Sequence, residues 1–181
     1  MKNFILLKTL TENYDFIVDI LKQILGNAID VQEEETHLFI GYTGGNAEDL
    51  SETIRSLEGD LNTLISSYQS STLRQQKEYD LILPLFLKIC YGHYNFKSIL
   101  WNAKSIDNSS ELLHFILENT GIDEHMILEL ANSDLNVSKA ASHLYLHRNT
   151  LLYKLEHLLE FSNFDLKRFY DLYILIKLIK A

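Results

Sequence analysis

Two short amphipathic segments separated by three residues constrain the fold of this chain more than any other feature. Residues 137–144 place four apolar side chains on one side of a helix: Val137, Ala140, Ala141 and Leu144. Residues 148–161 carry a stripe of leucines with the same helical spacing. The three residues between them, Tyr145, Leu146 and His147, allow only a tight turn. The pattern therefore predicts a helix-turn-helix.

The flanking sequence adds a further helix to this pair. Glu124–Asn132 is predicted as a helix capped by Asp123, and Ser133–Asn136 forms the break before the second helix, Val137–Leu144. The third helix is predicted over Arg148–Phe161. Its buried stripe is expected to contain Leu151, Leu152, Leu155, Leu158 and Leu159.

The opposite faces of the second and third helices are polar and contain no acidic residue, while Glu156 and Glu160 lie toward one flank. Side chains of this kind suit the major groove of DNA, because Asn can bond adenine in two-point fashion and Thr can contact a thymine methyl group. The candidates for base contacts are Asn149, Thr150 and Tyr153. The candidates for contacts with the DNA backbone are Ser138, Lys139, Arg148, Lys154 and His157.

The run NVSKAASHLYLHRNTLLYKLEHL resembles the C-terminal helix-turn-helix of the PucR/CdaR-type regulators of purine catabolism and sugar-diacid use. The family hallmark H-R-N-T-L-x-Y-x-L is matched from His147 to Leu155 without a gap. The segment is similar, more distantly, to the Fis-type DNA-binding domain. The resemblance covers about residues 108–181 and implies a sequence-specific, dimeric transcription regulator that binds double-stranded DNA.

The same family usually carries an N-terminal ligand-sensing domain and a degenerate cyclase-like middle domain. This chain has room only for a shortened middle portion, so DNA binding is expected to transfer and ligand sensing is not. Leu152 and Glu156 stand where basic residues are common in the family. These two residues and the acidic front part favour an alternative, a protein–protein interaction adaptor with a degenerate helix-turn-helix. A plain helical bundle is a further alternative.

The charge of the chain is divided unevenly along its length. The formal net charge is −9, and residues 1–123, with 9 Lys and Arg against 18 Asp and Glu, account for all of it. Residues 124–181 contain seven of each sign. A neutral segment can bind DNA when its charges segregate onto separate faces, although its non-specific affinity should be modest.

The front part predicts a helix at Tyr14–Leu25, two strands at Ala28–Val31 and Thr36–Tyr42 around an acidic turn, and a helix from Leu50 to Ile65. The Gly44-Gly45 pair is interpreted as a turn before a helix capped by Asn46 or Asp49. The expected fold class is therefore α+β, mostly α: a small helix–hairpin–helix part followed by an all-α helix-turn-helix domain. The expected domains are 1–71, regulatory or dimerising; 72–107, a helical connector; and 108–181, the DNA-binding domain.

Other patterns limit the possible functions. Cys90 is the only cysteine, lies in an apolar helix containing Pro84 and is expected to be buried; Pro84 itself allows a kink or a late helix start. No nucleophile–base pair, cofactor loop or metal cluster stands out, and His143 and His147 are separated by the turn, so no enzyme, cofactor or metal is expected. No apolar run is long enough to span a membrane, and the cysteine usage fits the cytoplasm.

The last helix, Arg168–Lys180, is apolar nearly all round. It is expected either to fill the core between the two parts of the chain, the reading slightly favoured, or to form a dimer interface. A homodimer is expected in either case, because a two-fold DNA site needs two reading heads. An effector cannot be named from the sequence.

Overall fold

A computed structural model of the chain describes residues 3–9, 14–25, 29–42, 47–70 and 75–181. It divides into two compact units, Met1–Ala103 and Lys104–Ala181. No helix among the described residues is long and apolar enough to cross a lipid bilayer. The predicted fold class is confirmed, since an α+β unit precedes an all-helical one. The functional division into three parts stays a prediction.

The described part of the first unit is built on a five-stranded sheet. Its elements in chain order are β1 (Asn3–Thr9), α1 (Tyr14–Leu25), β2 (Ile29–Glu33), β3 (Leu38–Tyr42), α2 (Ala47–Leu61), β4 (Ile65–Gln69), α3 (Gln75–Lys88), β5 (His93–Tyr94) and α4 (Phe96–Asn102). The strand order is β2-β3-β1-β4-β5. All pairs are antiparallel except β4 with β5. The first six elements therefore have the split βαβ arrangement of ferredoxin-like folds, with β1 at the centre.

The two faces of β1 carry different side chains because a strand alternates its residues. Ile5 and Leu7 are buried in a cluster with Ile17 and Leu21 of α1 and with residues of α2. On the opposite face, the ring of Phe4 packs edge-on against Tyr79 of α3, with centroids 5.9 Å apart. The sheet thus has helices on both faces.

Three strands of this sheet, β1, β4 and β5, were not predicted, and one predicted helix end is wrong. The second helix was expected to reach Ile65, but α2 ends at Leu61 and Ile65 begins β4. Asn62 adopts a left-handed conformation with φ of 47° directly after the helix. Glu58 Oε1 then accepts a hydrogen bond from the Ile65 backbone N–H at 2.8 Å. The chain therefore leaves the helix and enters the sheet within four residues.

The end of α3 is held by the first strand. Lys8 Nζ donates to the carbonyls of Phe86 at 2.9 Å and Ile89 at 2.7 Å. A cation bound to the last carbonyls of a helix satisfies acceptors that have no partner inside the helix. Burial lowers the pKa of the Lys8 ammonium from its ordinary value. This contact joins β1 to the end of α3, 78 to 81 residues further along the sequence.

Two expectations for this region are corrected. The helix begins at Gln75 and runs through Pro84, so a late start at the proline is wrong. Cys90 was expected to be buried in that helix; it follows the helix end at Lys88 and is exposed. The hairpin of β2 and β3 and the exposed acidic turn are confirmed. The Gly44-Gly45 pair and Asn46 lie outside the described residues, as does the side chain of Asp49.

The second unit is helical throughout its regular elements, which are α5 (Ser109–Leu117), α6 (Glu124–Asn132), α7 (Val137–His143), α8 (Arg148–Ser162) and α9 (Phe169–Lys180). The α9 helix packs against α5 and α6. One side of α9 is buried and contains Leu172, Ile174, Leu175 and Leu178. Phe169, Tyr170 and Tyr173 are exposed. The helix is therefore a core element of its own unit with an aromatic outer face.

Candidate nucleic-acid interface

The first two helices of the predicted motif begin at side chains that accept hydrogen bonds from the backbone. Asp123 Oδ1 accepts from the Met126 N–H at 2.8 Å and opens α6, as predicted. Asn136 Oδ1 accepts from Ser138 and Lys139, both at 3.1 Å, and opens α7. Such caps satisfy donors that have no partner inside the helix. Because each cap depends on neighbouring residues alone, these helix starts are encoded locally.

The turn between α7 and α8 has the hydrogen bonds of a Schellman motif. The Leu146 N–H donates to the Ala141 carbonyl at 2.9 Å, and the Tyr145 N–H donates to Ser142 at 3.2 Å. Tyr145 occupies the left-handed position of this motif, with φ of 55°. Glycine usually fills that position because an L side chain is disfavoured there. The turn thus places an aromatic side chain, 97% exposed, three residues before the start of α8.

The start of α8 is fixed by His147. Its Nδ1 accepts a hydrogen bond from the Asn149 N–H at 3.2 Å, and its carbonyl accepts from Thr150 at 2.9 Å. Helix α8 therefore begins at Arg148, as the sequence predicts, and ends at Ser162. Asn163 follows with φ of 61° and ends the helix in the left-handed conformation.

Small residues allow α7 and α8 to approach each other. Ala140 and Ala141 are buried on α7, and α7 packs against α8. The buried residues of α8 are Leu151, Leu155, Leu158 and Ser162. Two members of the predicted stripe differ: Leu152 is half-buried and Leu159 is 37% exposed. The stripe is narrower than predicted, which leaves more of α8 open to solvent.

The side chains proposed from the sequence for DNA contact fall mostly on this open surface. Ser138, Lys139, Arg148, Asn149, Thr150 and Tyr153 are exposed, whereas Lys154 and His157 are half-buried. The rings of Tyr153 and His157 stack with centroids 5.9 Å apart, one turn from each other along α8. The first two turns of α8 therefore present a polar and aromatic surface.

Lys154 is engaged inside the unit. Its ammonium donates a hydrogen bond to the backbone carbonyl of Gly121, in the segment between α5 and α6. Gly121 has φ of 71°, and a Cβ added there would lie 2.8 Å from Lys154 Nζ. Glycine at this position thus permits both the backbone conformation and the contact. This bond occupies one of the three donors of the Lys154 ammonium and holds it beside Gly121.

A side-chain hydrogen bond joins α6 to α7. His143 Nδ1 lies 2.6 Å from Glu129 Oε1. The hydrogen bond from His143, the largest influence, holds the pKa of the Glu129 carboxyl below its ordinary value of 4.5. Lys139 Nζ lies 4.0 Å from Asp134 Oδ2 in an exposed pair. Among the residues that the structure describes, no group of His, Cys, Asp and Glu is arranged to hold a metal ion.

Sequence reasoning did not single out two residues that shape this surface. The contact of Gly121 with Lys154 spans 33 residues, which no local pattern reveals. Tyr145 was assigned only to the turn. A sequence signal for its conformation was present. A turn of three residues between two helices commonly begins with a residue in the left-handed conformation, and Tyr145 is the first residue after the predicted helix Val137–Leu144.

Together, the short capped helices, the Schellman turn and the exposed face of α8 define a helix-turn-helix domain. Residues 126–177 match the PucR C-terminal helix-turn-helix domain family. This segment is therefore a PucR-type helix-turn-helix domain, as the sequence resemblance implied. No curated protein matches the sequence at a significant level.

A solved structure resembles the chain over nearly its whole length. It is the regulator of polyketide synthase expression from Bifidobacterium adolescentis, with a TM-score of 0.54 and 13% sequence identity. The match covers 99% of this chain and 79% of that one. At this identity the likeness concerns the fold.

Proposed function

We propose that the protein is a sequence-specific, DNA-binding transcription regulator that places α8 in the major groove. The domain match and the regulator-like fold support the broader class, a transcription regulator. The observation that carries the finer proposal is the exposed, acid-free start of α8, at Arg148, Asn149, Thr150 and Tyr153. Such a regulator would act in the cytoplasm.

In this proposal base recognition falls to Asn149, Thr150 and Tyr153. The amide of Asn149 is exposed in the first turn of α8, where a recognition helix meets base edges. An asparagine can donate to and accept from adenine, which distinguishes it from the other bases. Thr150 and Tyr153 lie one and four residues further along the same helix. Tyr153 is 67% exposed and can reach sugar or a base at the groove wall.

Contacts with the DNA backbone fall mainly to Ser138, Lys139 and Arg148. All three are exposed, and Arg148 stands in the first turn of α8, where free backbone N–H groups also favour a phosphate. Lys154 and His157 are assigned smaller contributions because both are half-buried. The ammonium of Lys154 is also held beside the Gly121 carbonyl by a hydrogen bond.

The proposed active form is a homodimer. One reading head contacts only a few base pairs, whereas two heads about 34 Å apart read successive major grooves on one side of the duplex. The expected operator is therefore an inverted repeat. Sedimentation velocity of the free protein and of its DNA complex measures this stoichiometry.

The test of the proposed function is selection on a random duplex library at about 100 mM salt, where specific contacts must compete with bulk electrostatics. Enrichment of an inverted repeat is expected. The double variant Asn149→Ala/Thr150→Ala is the matched control, because both side chains are exposed and the fold should survive. Loss of the enriched motif in that variant would assign sequence reading to α8.

The second candidate function is the protein–protein adaptor. The exposed aromatic side chains of Phe161 and Phe169 favour it, since large exposed apolar groups often mark protein contacts. It predicts no duplex enrichment in the selection from a protein whose circular dichroism shows folded helices. It also predicts recovery of a protein partner that Phe169→Ser no longer binds.

A further inference from the structure

A small pocket in the first unit lies beside the edge of the sheet formed by β4 and β5, next to α2. Its volume is about 240 Å³, or roughly eight water volumes. Its polar lining comes from Arg55, Ser67, Gln69, His93 and Asn95. Arg55 is the one Lys or Arg among the described residues of this lining. No Asp or Glu is among the described residues that line the pocket.

Two of these side chains are held in place by a chain of hydrogen bonds. Ser67 and His93 are register partners across β4 and β5, and Ser67 Oγ lies 2.9 Å from His93 Nδ1. His93 Nε2 lies 3.2 Å from Glu58 Oε2. Glu58 Oε1 accepts from the Ile65 N–H at 2.8 Å. Both Glu58 oxygens therefore bond to the protein itself, and they orient His93 from behind the pocket.

Other residues that line the pocket are also held in place by packing or hydrogen bonds. Ile5 and Ile54 are buried and form the apolar part of the lining. Gln69 Nε2 donates to the Tyr42 hydroxyl at 3.1 Å, which leaves the amide in a fixed orientation. Pockets that bind small molecules combine an apolar floor with a few convergent polar groups on rigid elements.

We propose that this pocket binds a small anion that carries a carboxylate or phosphate group. Arg55 would supply the charge, and its planar guanidinium matches either group through paired hydrogen bonds. Ser67, His93 and Asn95 would contribute further polar contacts on the sheet side. Residues 1–123 carry the whole net charge of −9, and Glu58 lies behind His93, so an anion is attracted here at short range, through direct contact with the Arg55 guanidinium.

The test is a titration of the ¹⁵N-labelled full chain, without DNA, followed by two-dimensional NMR at constant ionic strength. The probes are malonate, inorganic phosphate and the neutral malonamide. Saturable shifts centred on the amides of Arg55, Ser67 and His93 are expected with malonate, phosphate or both, and none with malonamide. Comparison of the two anions decides which group the pocket prefers.

Variants separate this site from general anion attraction. Arg55→Gln should weaken binding about ten-fold or more, since it removes a charged hydrogen-bond donor. Its unliganded spectrum should keep the wild-type dispersion, because Arg55 is exposed. The matched control Arg168→Gln removes the same charge from the second unit and should leave the affinity unchanged.

Three results would overturn the proposal: no saturation with either anion up to tens of millimolar, equal affinity in Arg55→Gln, or shifts centred on the second unit. Ser67→Ala adds a second check, because it removes one hydroxyl without changing charge. It should weaken the anion several-fold. Since no DNA is present, the outcome is independent of whether α8 reads a duplex.

Discussion

Replacement of Arg148 by alanine removes one of the cations that α7 and α8 contribute to the proposed reading surface. These two helices contain Lys139, Arg148 and Lys154. Lys139 and Arg148 are exposed, while Lys154 is bound to the Gly121 carbonyl. Each head therefore offers two cations to DNA phosphates, and a dimer offers four.

The salt dependence of binding follows from this count. Each neutralised phosphate contributes about −0.9 to the slope of log K against log salt concentration, so a dimer with four contacts should show a slope of about −3.6. Between 50 and 200 mM salt its affinity should fall about 150-fold. Arg148→Ala removes two contacts per dimer and should reduce the slope to about −1.8, with a fall of about 12-fold over the same range.

Fluorescence anisotropy with a labelled duplex carrying the selected operator measures both slopes. Arg168→Ala is the matched control. Arg168 is 78% exposed, lies outside α7 and α8 and is 3.6 Å from Asp165, so its loss removes a charge of the same sign. The control should keep the wild-type slope.

Equal slopes in wild type and Arg148→Ala would remove Arg148 from the interface and with it the proposed docking of α8. A wild-type slope near −5.4 would show that Lys154 also contacts phosphate, despite its hydrogen bond to Gly121. An effect of Arg168→Ala as large as that of Arg148→Ala would mean that only the total charge matters. Each result contradicts a different step of the reasoning.

Three further predictions concern the stability of the second unit, measured by urea unfolding followed by circular dichroism. Gly121→Ala should lower the free energy of unfolding by about 2 kcal/mol, because it places an alanine in the left-handed conformation and displaces Lys154. In a Lys154→Met background the same change should lower it by only about 1 kcal/mol, the share that comes from the backbone. An equal loss in both backgrounds would contradict the contact between Gly121 and Lys154. Glu129 has a lowered pKa, so its contribution to stability is full above pH 4.5 and is lost as the pH falls through the folded-state pKa. The difference in unfolding free energy between wild type and Glu129→Gln should therefore shrink on acidification, and a constant difference would refute the hydrogen bond between Glu129 and His143. Leu155→Ala should lower the free energy of unfolding by about 2 to 5 kcal/mol, whereas Leu159→Ala, at a partly exposed position, should lower it much less. Similar losses would contradict the difference in burial between the two leucines.

The helix-turn-helix could be predicted closely because its signals are local. Asp123 and Asn136 each cap a helix through bonds to backbone groups two or three residues away, and such pairs are visible in the sequence. The boundaries of α6 and α8 accordingly agree with the prediction to within a residue. The exposed positions of Asn149 and Thr150 follow from the spacing of the buried leucines.

The strands of the sheet were harder to predict because the pairings that stabilise them join residues far apart in the sequence. β1 is an apolar run without alternation, and β4 contains Ser66 and Ser67 where a strand pattern favours branched residues. Ile65 continued the apolar spacing of α2 and was assigned to that helix. Only pairing with β1, some sixty residues earlier, makes this segment a strand. The pocket beside it depends on the same distant pairings and could not be predicted from sequence.

The central position of β1 determines the order in which the first unit can be completed during synthesis. β1 leaves the ribosome before its two neighbours, β3 and β4, which end at Tyr42 and Gln69. Both edges of β1 stay without their partners until those segments have emerged, and unpaired edges are prone to intermolecular pairing. The second unit, by contrast, assembles from helices with short connections. A change in β1 therefore acts on the middle of the sheet, and alterations there should affect soluble yield more than equal alterations in β2.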